Sequence, residues 1–281
     1  MPGDLESLRR ELWLGEVPAC FSLHPNDLAS LACEPEPCCM MLPRVSYLPL
    51  HLEEIRQYFS QYIKSDLLEN EIWCETSSGD KVKWHLPIGV TYDMLHGLQE
   101  STSIWHLTVH FSDYPEQLLL RCPSLDSVRA HFLSTIKEAD ALKHASGVMN
   151  NMLEAENSLL WTGMLDRKYE DFWSVNNRLM DCNTTNQTLG YKYLPIRVYK
   201  RDQTYSQPLV LADGESPCTV KDLLISCYFD INDDIAVVSQ GIDIPLDSNV
   251  YELAQSLSYS DNFLYLCIAL KTSTLQGQTI T

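Results

Sequence analysis

The clearest periodicity in the chain runs from Trp105 to Phe111, where Trp105, Leu107, Val109 and Phe111 alternate with His106, Thr108 and His110. Successive side chains of a strand point to opposite faces, so this segment predicts a strand with one buried face. Upstream, "VPACFSL" and "MLPRVSYLPL" predict extended segments, and "HLEEIRQYFSQYI" places Leu52, Ile55, Phe59, Tyr62 and Ile63 on one helical stripe with Glu53, Glu54, Arg56 and Gln57 elsewhere. Short strands are expected at "EIWCE" and "VKWHL", and "PIGVTYDML" reads as turn-rich.

The last third repeats that order. "YLPIRVYK" and "QPLVLADG" predict strands, and "TVKDLLISC" a helix that opens on a Thr219–Asp222 capping arrangement. "IAVVSQGIDIPL" and "NFLYLCIAL" supply the closing strands. Two α+β units are implied, each a sheet of four or five strands crossed by one helix. Units of this size are small for a self-sufficient core and should pack on something else.

Between them the pattern is helical. Val128, Phe132, Ile136, Ala139 and Leu142 form a stripe in "SLDSVRAHFLSTIKEADALKH", with Ser124 placed to cap it and Gly147 to end or bend it. "VMNNMLEAENSLLWTGML" continues the apolar pattern, and Tyr169, Phe172, Trp173, Asn176, Leu179 and Met180 recur at helical spacing, as core packing requires. The expected organisation is an N-terminal helix (1–16), a first sheet unit (17–112), a linker (113–123), a helix-rich domain (124–181), a second linker (182–191), a second sheet unit (192–272) and a tail (273–281).

Charge narrows the function. The 281 residues carry 38 acidic and 20 basic side chains, for a formal charge of −18, which repels nucleic-acid phosphates. No run reaches the roughly 18–20 apolar residues of a membrane span, and "MPGDLESLRRELW" does not read as a secretory signal. A cytoplasmic chain is expected, its ten cysteines reduced and mostly packed as small apolar residues. The sequons at Asn183 and Asn186 then mark only a polar loop.

The usual reactive constellations fail on spacing. His106 and His110 share a strand face but stand roughly 13 Å apart, too far for one zinc ion, and read as surface or interface histidines. "DINDD" from Asp230 lacks the glycine and the closing glutamate of a calcium loop. Cys33, Cys38 and Cys39 lack paired metal-ligand spacing, and there is no GxSxG, P-loop or GxGxxG. No metal, no cofactor and no catalytic residues are expected.

One lysine stands out by position. Lys137 lies about 180° around the helix from Val128, so its amine should reach water, beside Ala130, Leu133, Ser134 and Ala141, which are mostly short. Lys143 falls beside the apolar stripe. At neutral pH only about one exposed lysine in 2,500 is uncharged, and the neighbouring Glu138 and Asp140 favour the charged form. Such an amine can accept an activated carbonyl that another protein brings; self-activated catalysis is not expected.

"RCPSLDSVRAHFLSTIKEADALKH" resembles the segment of the autophagy protein 5 family that carries the lysine joined by an isopeptide bond to the ubiquitin-like modifier autophagy protein 12. "LPRVSYL", "VKWHLPIG", "IWHLTVHF", "LADG" and "LSYSDNFL" resemble further family segments in the same order, across nearly the whole chain. The resemblance implies two ubiquitin-like (β-grasp) domains flanking a helix-rich domain, with Lys137 as the isopeptide acceptor. It implies a non-covalent helix of autophagy protein 16 as partner, with Arg44, Gly89 and Asp93 at its groove between the units. E2-type enzymes would deliver the modifier. The complex would act like an E3 in lipidating autophagy protein 8, peripherally at the phagophore membrane. A scaffold that binds its coiled-coil partner without conjugation is the alternative. The chain departs from the family pattern at Cys38 and Cys39, where large aromatics are expected, and at Arg129, where an acid is usual. A ubiquitin-like donor needs a free terminal glycine, and neither unit supplies one as written, so both read as scaffolds.

Overall fold

The structure, a computed structural model, describes residues 2–29, 33–97, 104–181, 191–201, 204–212, 218–229, 231 and 235–270. Asn183, Asn186, Cys182, the tail from residue 273 and all of the Asp230–Asp234 run except Ile231 lie outside these residues. Helix α1 (Pro2–Leu14) leads into strands β1 (Glu16–Leu23) and β2 (Cys38–Pro43), which pair antiparallel. Helix α2 (Leu52–Phe59) turns Ile55 and Phe59 into the first core, each such side chain contributing about 1.5–3 kcal/mol by burial. β3 (Trp73–Thr76), α3 (Ile88–His96) and β4 (Trp105–His110) follow. The sheet order is β2-β1-β4-β3, with β1 and β4 parallel at its centre.

Three helices come next: α4 (Leu125–His144), α5 (Glu154–Leu165) and α6 (Tyr169–Leu179). The second sheet unit contains β5 (Tyr193–Leu194), β6 (Ile196–Lys200), β7 (Val210–Leu211), α7 (Val220–Ser226), β8 (Ile235–Ser239), β9 (Ile242–Asp243), α8 (Val250–Ser256) and β10 (Leu264–Leu270). Its main sheet runs β6-β10-β8-β9, with β6 and β10 parallel at one edge and β10 antiparallel to β8, and β5 pairs with β7. Pro195 divides "YLPIRVYK" into β5 and β6 because it has no N–H for the ladder. The α+β architecture of two β-grasp units flanking a helical domain, with a helix at the N-terminus, is the one the patterning and the family resemblance implied.

Each sheet unit and the helical domain has its own apolar cluster. A further cluster gathers Val45, Leu86 and Val90 from the first unit, Ala139 from α4, and Tyr199, Tyr259, Phe263, Tyr265 and Cys267 from the second. This shared core is what the two small sheet units pack on.

Several local expectations are corrected. "PIGVTYDML" forms helix α3, and Ile88 to Asp93 are all buried. A helix covered on every side shows no amphipathic period, and its Pro87 and Gly89 look like turn residues. "VKWHL" forms no strand: a bridge at Lys81 precedes it and the segment then turns, because Trp84 joins the helical cluster instead of a sheet. Helix α8 is an element the periodicity does not predict; its signal is Asn249, whose side chain accepts from the N–H groups of Tyr251 and Glu252. Ser124 holds the N-cap position without a side-chain cap bond, and α4 ends through left-handed Ala145 and Ser146, before Gly147. Thr219 and Asp222 do form a capping box. Cys20 and Cys39 stand opposite each other on β1 and β2 and are joined by a disulfide, against the expectation of reduced thiols throughout.

Candidate functional site

Helix α4 is held along two faces. Val128, Phe132 and Ile136 enter the helical core with Trp161 and Phe172, while Ala139 enters the shared core. The remaining face carries Lys137, which is exposed, with exposed Ala130, Ser134 and Ala141 and half-buried Leu133 around it. No hydrogen bond or ion pair among the described residues engages the Lys137 amine.

The two acids beside it in sequence are committed elsewhere. Asp140 is fully buried; its Oδ1 lies 2.9 Å from His144 Nδ1 and its Oδ2 accepts the Met149 N–H at 2.8 Å. Arg197 donates from Nη2 to Glu138 Oε2 at 2.6 Å and from Nε to Gln207 Oε1 at 2.9 Å, and Gln207 Nε2 closes the triangle to Glu138 Oε1 at 2.9 Å. The guanidinium also sits 3.9 Å over the Phe263 ring. Burial disfavours the Arg197 charge, but Tyr265, Glu138 and Asp261 outweigh it and hold the proton more firmly than usual. This triangle ties the α4 turn that bears Lys137 to the second sheet unit, so the amine rises from a braced turn. Arg197 was missed in the sequence; a charge inside the apolar run "LPIRVY" was the available signal.

Lys143 is the opposite case. Its Nζ donates to Asn262 Oδ1 at 2.7 Å and lies 3.5 Å from Met180 Sδ and 5.0 Å from the Tyr191 ring. Burial pushes its ammonium down to about 7, only partly offset by Asp140.

Arg44, Gly89 and Asp93 come together, but in the interior. Arg44 Nη2 donates to Asp93 Oδ1 at 2.5 Å and to Gly89 O at 3.3 Å, and the Gly89 N–H donates to Arg44 O at 2.9 Å. The second Asp93 oxygen accepts the N–H of Gly241, in the β8–β9 turn, at 3.0 Å. Burial pushes the Asp93 carboxyl up, while Arg44 and Gly241 pull it back. A Cβ on Gly89 would stand 2.6 Å from Tyr259 Oη and 2.9 Å from Arg44 Cβ. In this structure the three residues clasp the first unit to the second, with Arg44 and Asp93 both buried.

An open apolar groove of about 510 Å³ lies on the first unit, where the Leu48–Leu50 turn meets the start of α4. Leu50, Trp73, Trp84, Leu119 and Leu125 line it, and Glu53, Glu69 and Glu71 rim it. No helix among the described residues is long and apolar enough to cross a membrane. Arg129, on α4, donates to Glu154 at 3.1 Å and to Ser158 at 3.3 Å, so it braces α4 against α5.

This order of domains matches known proteins end to end. Three family descriptions fit in sequence: Autophagy protein ATG5, UblA domain, over residues 12–111; its alpha-helical bundle region over 125–182; and its UblB domain over 193–268. Autophagy protein 5 of Drosophila melanogaster is 34% identical over 274 residues, covering 96% of this chain and 99% of that one. The chain belongs to the autophagy protein 5 family. Autophagy-related protein 5 of Caenorhabditis elegans is 31% identical over 275 residues, covering 93% and 97% of the two chains. The crystal structure of Kluyveromyces marxianus Atg5 superposes with a TM-score of 0.80 at 24% identity, over 94% of this chain and all of that one, which shows the shared fold. Family membership makes this an autophagy protein whose partners belong to the autophagy conjugation system.

Proposed function

We propose that Lys137 is the acceptor for the C-terminal carboxyl of the ubiquitin-like modifier autophagy protein 12, and that the chain has no catalytic residues of its own. The observation that carries this reading is an exposed, unengaged amine on a helix fixed through both of its other faces. An E2-type enzyme brings the modifier as a thioester. The neutral amine attacks its carbonyl, the isopeptide bond forms as the C–S bond breaks, the thiolate leaves on the E2, and the proton shed by the amine passes to water. The braced α4 turn supplies position only, which lowers the entropic cost of attack.

The partner helix of autophagy protein 16 is assigned to the apolar groove on the first unit. Its acidic rim favours a helix with basic flanks. In this assignment Arg44, Gly89 and Asp93 do not touch the partner and serve it only by holding the two units together. The conjugate and the bound helix then form an E3-like complex that promotes lipidation of autophagy protein 8, held peripherally at the phagophore membrane.

Reconstitution with the modifier, its E1 and its E2 tests the acceptor. One conjugate should form and vanish in Lys137→Arg; a conjugate that survives, or none with the parent chain, would favour the non-covalent scaffold. Leu125→Asp, at an exposed groove position, should weaken helix binding at least about tenfold and leave conjugation intact. Unchanged helix binding would move the partner off this groove.

A further inference from the structure

The far end of the central parallel pair gathers a donor set that the acceptor function does not use. His24 follows directly on β1, and its N–H donates to Val109 O at 2.9 Å, so the parallel register carries its ring beside His110 at the end of β4. The two ring centroids are 4.3 Å apart. Asp27 reaches the same place from a short 3-10 turn, Pro25–Asp27. One ligand atom from each of His24, Asp27 and His110 lies within 4.8 Å of the others.

Two further observations point to a cation. Asp27 is fully buried, and its oxygens accept from the Phe111 N–H at 2.7 Å and the Ser112 hydroxyl at 2.5 Å, yet no lysine or arginine among the described residues pairs with it. A buried carboxylate without a cationic partner is costly. His110 is buried as well, stacked on Trp73 at 3.8 Å, with its Nε2 3.1 Å from Glu75 Oε1 but off the line of a good hydrogen bond. A carboxylate on one imidazole nitrogen keeps the proton there and leaves the other nitrogen to coordinate, which is the usual support for a metal-binding histidine.

We propose that His24, Asp27 and His110 form a divalent-cation site that takes zinc, with water completing the coordination and Glu75 orienting His110. Two imidazoles and one carboxylate suit zinc better than calcium or magnesium, which prefer all-oxygen sets. The rings are stacked in the metal-free geometry, so convergence needs one of them to turn. His24 is the less buried ring, its terminal torsion is soft, and turning it gives up the stack on His110 and a 3.4 Å contact with the Asn26 N–H. A bound ion would cross-link the ends of β1 and β4 to the intervening turn and stabilise the first unit.

The test uses the full chain stripped with a chelator, titrated calorimetrically with zinc alone and followed in parallel by the visible absorption of cobalt(II) alone. One zinc should bind per chain and raise the thermal midpoint, and cobalt should give the intense bands of a low-coordinate site. His24→Gln should weaken zinc binding by roughly tenfold or more and abolish the midpoint rise, while melting like the parent in chelator. His106→Gln, at an exposed position on β4, should change nothing. Asp27→Asn gives a second reading of affinity, with a loss at least as large as that of His24→Gln. Absence of zinc uptake by the parent, or equal affinity in His24→Gln, overturns the proposal.

Discussion

Lys137 and Lys143 lie on the same helix, carry the same functional group and meet opposite fates. Lys137 stands in water on a face lined mostly by short residues. Lys143, less than two turns further on, is sealed against Asn262, Met180 and Tyr191. The difference is one of rotation around the helix: the stripe through Val128, Phe132 and Ile136 is fixed by the helical core, so each lysine's angle from that stripe decides its solvent. An amine used as an acceptor must be reachable, and one used as a structural donor must be shielded. The contrast shows how one helix can present a group for chemistry and lock its own position with another.

The largest expected effect sharpens the exposed side. Lys137→Arg should remove the conjugate completely in the reconstituted reaction while shifting unfolding free energy by no more than about 0.5 kcal/mol. On the sealed side, Lys143→Ala should cost about 2–4 kcal/mol in a denaturant titration, through the cavity left and the stranded Asn262 carbonyl, yet the folded variant should still accept the modifier. Gly89→Val, where the added carbons meet Tyr259 and Arg44, should cost about 1–3 kcal/mol and loosen the junction, seen as faster amide exchange in α3 and in the β8–β9 turn.

The next test is pH. Burial lowers Lys143 to about 7, whereas in the unfolded chain it titrates near 10.4. Between those values the unfolded state holds the extra proton, so this group makes stability rise with pH, by at most about 1.4 kcal/mol per unit. Unfolding titrations of the parent and Lys143→Met at pH 7 and 8.5 should show that slope in the parent only; parallel profiles would mean that Lys143 keeps its proton in the fold. The smallest effect concerns the brace beside the acceptor. Glu138 is partly exposed, so Glu138→Gln should cost under about 1 kcal/mol and slow conjugation about two- to fivefold through a less fixed α4 turn. A conjugation rate equal to the parent's would leave the brace without a role in the transfer.

Much of this was legible in the chain. Alternation in "IWHLTVHF" marked β4, the Thr219–Asp222 pair marked the start of α7, and the angle between Val128 and Lys137 marked the open face of α4. The illegible parts share a cause. Helix α3 lies between elements of both sheet units, so no polar face betrays its period. The histidine partner of His110 is His24, brought alongside by parallel strand register, while His106, on the same face of that strand, stays exposed. Along the sequence Cys20 and Cys39 are two separate thiols, and only the β1–β2 register sets them opposite each other. Family resemblance groups Arg44, Gly89 and Asp93, but their burial follows from contact with Tyr259 and Gly241 across the domain junction.

By itself the sequence determined the periodic elements, the order of the three domains and the outward direction of Lys137. These follow from spacing along one segment, where helix and strand geometry convert position into orientation. Tertiary structure alone decided which charges lie inside, which carboxylates turn away from the acceptor amine, and which histidines meet. Those outcomes depend on surfaces far apart in the chain that exclude water only once they are packed together.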